Sequence, residues 1–261
     1  MAAPPSSVEQ MPDWMVIVAE NMPNMDALVT EDDTPVDNIF SAKQQRLLVE
    51  PLYSSWAGPG EGRVFLADAN VGVFYAVSQP PLVPDAFLSI DVRAPADPWP
   101  KAHRSYFIWM YGKPPDVVIE VVSNQKGAED ERKLRIYAQI GVTYYVIFDP
   151  TGQLGTEPLR IYRLHEGVYH QSQEGWFPRV GLGVRLWHGV YEDMEQTWLR
   201  WCDREGNVVP TGAERAATAQ DQAEQERQRA EQERQRAEQE RQRAERLVVQ
   251  LRALGVEPQE T

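Results

Sequence analysis

Between Asp116 and Ser123 the chain reads Val-Val-Ile-Glu-Val-Val, five β-branched aliphatics around one carboxylate. Residues branched at Cβ favour the pleated geometry of a strand. Side chains alternate along a strand, so Val117, Ile119 and Val121 point one way and Val118, Glu120 and Val122 the other. Both faces are then largely apolar, the pattern of a central strand covered on both sides. Glu120 breaks that pattern from within. A lone ionised carboxylate in such a place costs several kcal/mol unless a metal or a cation compensates it. The rest of the chain has to supply that partner.

Downstream, the spacing predicts a helix over Ala128 to Ile140, stopped by Gly141, a residue suited to the left-handed turn after a helix end. Glu129, Asp130 and Glu131 fall in its first turn and complement the helix dipole. Lys133, Ile136, Tyr137 and Ile140 share one stripe, so Lys133 leads the buried face. Tyr144 to Phe148 is the next strand, and the order strand, helix, strand predicts a parallel crossover. Upstream, Asn38 to Trp56 reads as a helix. Strands follow in a rough meander at Arg63 to Ala67, Val71 to Val77 and Ala86 to Val92, the third introduced by Pro84-Asp85. A proline-rich loop covers Pro95 to Pro100, and Ser105 to Tyr111 reads as a strand or a short amphipathic element. Beyond the crossover, Leu159 to Leu164 and Gly167 to Gln171 form a hairpin. Trp176 to Trp187 and Val190 to Trp201 close the domain, followed by turn chemistry at Asp203 to Asn207.

The tail differs in kind. Ala-Glu-Gln-Glu-Arg-Gln-Arg occurs three times without change, at 223–229, 230–236 and 237–243. A seven-residue period is that of a coiled coil, but only alanine takes an apolar position. Glu224 with Arg227 and Glu226 with Arg229 make i, i+3 pairs that recur in each repeat. A solvated single helix and a coiled coil both remain open from this pattern. The expected organisation is an arm at 1–13, a folded domain at 14–210 and a charged helical tail at 211–261.

Charge and cysteine usage narrow the function classes. With 39 acidic residues against 26 basic, the net charge of −13 counts against tight non-specific DNA binding. A local basic groove is still available, since Lys101, His103, Arg104, Lys113, Lys126, Arg132, Lys133 and Arg135 lie near the central strand in sequence. The single cysteine, Cys202, leaves no intramolecular disulfide and no multi-cysteine zinc site, which fits a cytoplasmic protein. No signal sequence or membrane span is expected.

Pro84-Asp85 at a strand start, Pro115-Asp116-Val-Val-Ile-Glu120-Val-Val-Ser123, Asp130-x-x-Lys133 on a helix and Gly141-Val-x-x-Tyr-x-x-x-Asp149-Pro150 together resemble the Uma family. That family is catalogued among restriction endonucleases of the PD-(D/E)XK superfamily. The resemblance runs from about Phe40 to Asp203, and the charged tail ending Leu251-Arg-Ala-Leu-Gly-Val-Glu-Pro is also similar. It implies a mixed α/β fold: a restriction-endonuclease-like core with a central mixed β-sheet flanked by helices, carrying a long charged C-terminal helix. It also implies an Mg²⁺-dependent endonuclease that cuts DNA, with a homodimer possible. Asp85 would be the aspartate of the PD motif and Glu120 the acid of the (D/E)XK motif, both binding Mg²⁺. The superfamily's lysine belongs two residues after the acid, where this chain has Val122. Lys133 on the following helix is its migrated replacement in this reading.

Each residue also has a plain structural alternative. Asp85 reads equally as a turn acid. Lys133 can snorkel to water or pair with Asp130. Asp116 reads as a turn or supporting residue, Asp149 as structural, and Ser123, Asn124 and Gln125 as helix caps or phosphate contacts. His103, His165, His170 and His188 show no metal-ligand spacing. The alternative to an enzyme is a catalytically inactive nuclease-fold module acting through protein contacts. The enzyme reading requires Asp85 and Glu120 close enough to share one ion, with Lys133 pointing at them.

Overall fold

The computed structural model describes residues 38–60, 62–122 and 128–253. The arm expected at 1–13, the segment holding Ser123, Asn124, Gln125 and Lys126, and the side chain of Asp130 lie outside the described residues. The chain divides into two compact units, the second beginning at Gly212.

In the first unit, α1 (Ile39–Ser54) is followed by β1 (Phe65–Asp68), β2 (Val73–Phe74) and β3 (Ala86–Ile90). Next come β4 (Tyr106–Phe107), α2 (Ile108–Tyr111), β5 (Val117–Val121), α3 (Ala128–Ile140) and β6 (Tyr144–Phe148). The remaining strands are β7 (Leu159–His165), β8 (Val168–Ser172), β9 (Trp176–Phe177), β10 (Leu182–Tyr191) and β11 (Met194–Cys202). The six-stranded sheet has the order β1-β3-β5-β6-β7-β8. Only β5 and β6 run parallel in it, joined through α3 as the crossover pattern predicts. All five residues of β5 are buried. This is the mixed α/β architecture expected, with a central mixed sheet.

The alternation read in β5 sets the two cores. Val117, Ile119 and Val121 join Leu48, Leu52, Val146, Phe148, Leu199 and Trp201 on one face. Val118 joins Phe87, Tyr137, Ile140, Tyr145 and Ile147 on the other, with Val122 packed against them. The first core is covered by α1 and by a second sheet of order β11-β10-β9. α1 starts where Asn38 Oδ1 accepts from the Ser41 amide at 2.9 Å, the usual service of an asparagine cap. Its adjacent glutamines work on different elements. Gln44 holds both the amide and the carbonyl of Leu199 in β11, at 2.9 and 2.8 Å, while Gln45 turns to the candidate site.

Two expectations are corrected. The meander does not include β2, because β1 pairs directly with β3, and β2 pairs in parallel with β4 as a separate two-stranded sheet. Val73 also exchanges backbone hydrogen bonds with Leu82, which draws the segment away from the main sheet. The last hairpin turns at Glu192-Asp193 (φ 44° and 63°), beyond the break expected near His188-Gly189. Two successive residues at positive φ suit the right-handed twist of a two-residue hairpin. Lys43 and Arg46 of α1 both donate to the Glu192 carboxylate, at 2.9 and 2.5 Å, and hold the turn. Gly189 stays within the strand because the Trp187 indole lies over it, where a Cβ would stand 2.3 Å from the ring.

The second unit is α4 (Gly212–Ala253), a single helix of 42 residues that contains all three repeats. No residue of it is buried. Glu238 takes Arg241 at 3.2 Å, the i, i+3 pair read in the repeat, and Gln228, Gln235 and Gln242 donate to the glutamates one turn earlier. Among the described residues no helix is long and apolar enough to cross a membrane.

Candidate active site

Glu120 lies one residue from the end of β5, 7% exposed, and its side chain meets α3. Lys133 and Tyr137 stand one turn apart on that helix, so both side chains fall on the same stripe. The Lys133 ammonium donates to Glu120 Oε2 at 2.9 Å, and the Tyr137 hydroxyl donates to Oε1 at 2.9 Å. Two donors from successive turns therefore fix the plane of one carboxylate. Tyr137 is fully buried, its ring 5.1 Å from that of Tyr145.

Asp85 immediately precedes β3. The β3–β5 ladder pairs Ala86 with Ile119, and the next step in that register sets Asp85 across from Glu120. Its Oδ2 accepts from the Val121 amide at 2.6 Å, just where Pro84 has no N–H for the ladder. Its Oδ1 accepts from Gln45 Nε2 at 2.8 Å, and Gln45 Oε1 in turn accepts from Asn70 Nδ2 at 2.8 Å. Asn70, Gln45, Asp85 and Val121 thus form one chain of hydrogen bonds linking α1, the loop before β2, and β5.

The electrostatics follow from burial. Loss of water pushes the Glu120 carboxyl up, Lys133 pulls it down, Asp85 pushes it up again, and the balance lies at about 7. The negative charge of Asp85 is thus within electrostatic reach of Glu120. Burial and the neighbouring Glu120 raise the Tyr137 hydroxyl well above its ordinary range, so it stays a neutral donor.

Residues 31–185, more than half of the chain, match the model of the Uma2 family, whose description reads "Putative restriction endonuclease". The chain belongs to the Uma2 family. No curated protein matches it. In this Uma2 chain three of the residues singled out in the sequence are drawn together: Glu120 contacts Lys133, and Asp85 stands opposite Glu120. Val122, two residues after Glu120, is half-buried against the core.

The other acids lie apart from this cluster. Asp116, at the far end of β5, accepts from the Ile90 amide and the Lys113 ammonium. Asp149 accepts from the amides of Gln153 and Leu154 and closes a turn. Among the described residues no group of three or more His, Cys, Asp or Glu is arranged to hold a metal.

Sequence reasoning missed Gln45, Asn70 and the role of Tyr137. The signal for Tyr137 was present in its i+4 spacing from Lys133. Gln45 had none, since nothing in sequence connects it to a residue 40 positions away. Replacing Gln45 with leucine should cost about 1–3 kcal/mol, because the buried Asp85 carboxylate loses a hydrogen bond. Urea unfolding of the variant measures it. A loss below about 0.5 kcal/mol would mean that the chain through Gln45 contributes little.

Proposed function

We propose that this Uma2 protein is a divalent-metal-dependent endonuclease that hydrolyses DNA phosphodiester bonds with Asp85, Glu120 and Lys133. The observation that carries the reading is the Lys133–Glu120 contact at 2.9 Å, which brings a helix ammonium to a strand carboxylate despite Val122. The donor set fits Mg²⁺, a hard ion that is commonly held by one or two carboxylates plus waters and substrate phosphate. Among the described residues Lys133 donates to one oxygen of Glu120 and Tyr137 to the other, and a carboxylate oxygen has a second lone pair to offer. Asp85 and Glu120 would hold the ion, which when bound supplies charge to polarise the scissile phosphate and lower the pKa of a coordinated water. Gln45 and the Val121 amide orient Asp85. Tyr137 holds Glu120 in place as its other contacts change. Lys133, 21% exposed at its side chain, sits between core and solvent and can turn its ammonium toward a phosphate oxygen.

The test is cleavage of plasmid and oligonucleotide DNA with Mg²⁺ or Mn²⁺, comparing wild type with Glu120→Ala and Asp85→Asn. Loss of cleavage in both variants, with folding intact, is expected. Equal activity in wild type and Glu120→Ala would remove Glu120 from the mechanism. No metal-dependent cleavage by wild type on any DNA form would favour the inactive module acting through protein contacts.

A further inference from the structure

The loop between β3 and β4 holds an indole in solvent. Trp99 is 76% exposed, the most exposed large apolar side chain among the described residues. Leaving such a ring in water forgoes the burial of a large apolar surface. The loop is nevertheless built to a definite shape. Pro95, Pro98 and Pro100 restrict its backbone. The Trp99 amide donates to Asp97 Oδ1 at 3.1 Å, and Arg104 Nε donates to the Trp99 carbonyl at 3.0 Å. A short 3₁₀ turn over Lys101–His103 follows. The charge is as unusual as the exposure. In a protein of net charge −13, this segment carries Arg93, Lys101 and Arg104 against the single acid Asp97.

An exposed aromatic ring on a constrained backbone, flanked by cations, is the chemistry of a stacking platform for bases whose faces are free, with the cations meeting the backbone phosphates. Duplex DNA hides those faces. Because the loop is already ordered, little entropy is lost on binding. We propose that the loop 93–104 docks single-stranded nucleic acid, an unpaired base stacking on Trp99 while Arg93, Lys101 and Arg104 meet flanking phosphates. The inference rests on the nucleic-acid reading above and adds a substrate form to it. The loop leaves β3 at the end away from Asp85, so this contact is separate from the Asp85–Glu120 cluster.

The experiment is fluorescence-anisotropy titration of the full chain with labelled oligothymidylate and with a duplex of equal length, in EDTA so that nothing is cut. Trp99→Ala should weaken oligothymidylate binding about tenfold to a hundredfold, matching the usual worth of one base–aromatic stack. Trp99→Phe, which keeps a ring, should stay within about threefold of wild type, and duplex affinity should not move. Unchanged oligothymidylate affinity in Trp99→Ala overturns the proposal, as does a change confined to self-association in sedimentation. If Glu120-dependent cleavage persists while Trp99→Ala binds normally, only the loop assignment fails. If wild type neither binds nor cuts, both readings fail.

Discussion

Replacing Lys133 with methionine is expected to slow DNA cleavage about 10²–10³-fold at pH 8, the usual loss when one preorganised electrostatic donor is removed. The same change should lower stability by only about 1–2 kcal/mol, and the two magnitudes together make the result informative. Methionine keeps the length and apolar stem of lysine and removes the charge that pulls Glu120 toward ionisation. A buried carboxylate stripped of its cation usually costs 3–5 kcal/mol. Here the penalty is capped, because Glu120 already titrates at about 7 and can take up a proton instead. At pH 8 that escape costs roughly one pH unit of free energy, about 1.4 kcal/mol. Near pH 5 wild-type Glu120 is already protonated, so the stability difference should shrink toward zero. Urea unfolding at both pH values and cleavage at pH 8 provide the readings. A large rate loss with a small, alkaline-only stability loss fits a site lysine. Undiminished cleavage would make Lys133 a structural partner of Glu120 and nothing more.

Lys133 also shows how far the sequence could be read. Its stripe with Tyr137 and Ile140 came from helical spacing, and the β-branched run named β5 as the buried central strand. Together they place an ammonium and a carboxylate on facing elements, and the geometry follows. Local patterns sufficed because α3 connects β5 directly to β6, so contact and sequence order agree. Gln45 is the opposite case. Its position beside Asp85 depends on how α1 lies across the sheet, which is fixed by Leu48, Leu52 and Trp201, whose indole donates to the Leu48 carbonyl. That packing has no local signature. The meander failed for a related reason: Val71 to Val77 has the composition of a strand, but edge availability decides pairing, and β1 had already taken the edge of β3. The hairpin turn at Glu192-Asp193 lacks the usual glycine or asparagine, and the cations that pair with it, Lys43 and Arg46, are distant in sequence.

Replacing Glu120 with glutamine should abolish cleavage and yet stabilise the metal-free protein at alkaline pH by about 2–3 kcal/mol. The sign follows from the direction of the shift. Burial raises the Glu120 carboxyl in the folded state to about 7, from an ordinary value of 4.5. Below the ordinary value both folded and unfolded chains hold the proton, and Glu120 contributes no pH dependence. As pH rises toward 7 the unfolded chain releases its proton first, so wild type loses stability across that window. Above it the loss is constant, at most about 3.4 kcal/mol, since each pKa unit is worth 1.36 kcal/mol. Glutamine cannot ionise and escapes the penalty, less whatever Lys133 gives up when its partner becomes neutral. Glu192, held down to about 2 chiefly by the Arg46 hydrogen bond, acts in a separate and more acidic window, so it does not blur the comparison. Unfolding free energies for the two proteins should therefore coincide near pH 4.5 and diverge by pH 8. Parallel curves would mean that Glu120 carries no burial penalty. Divergence with loss of cleavage would show a carboxylate that costs the fold stability while serving the reaction, the trade expected of a functional group set in a core strand.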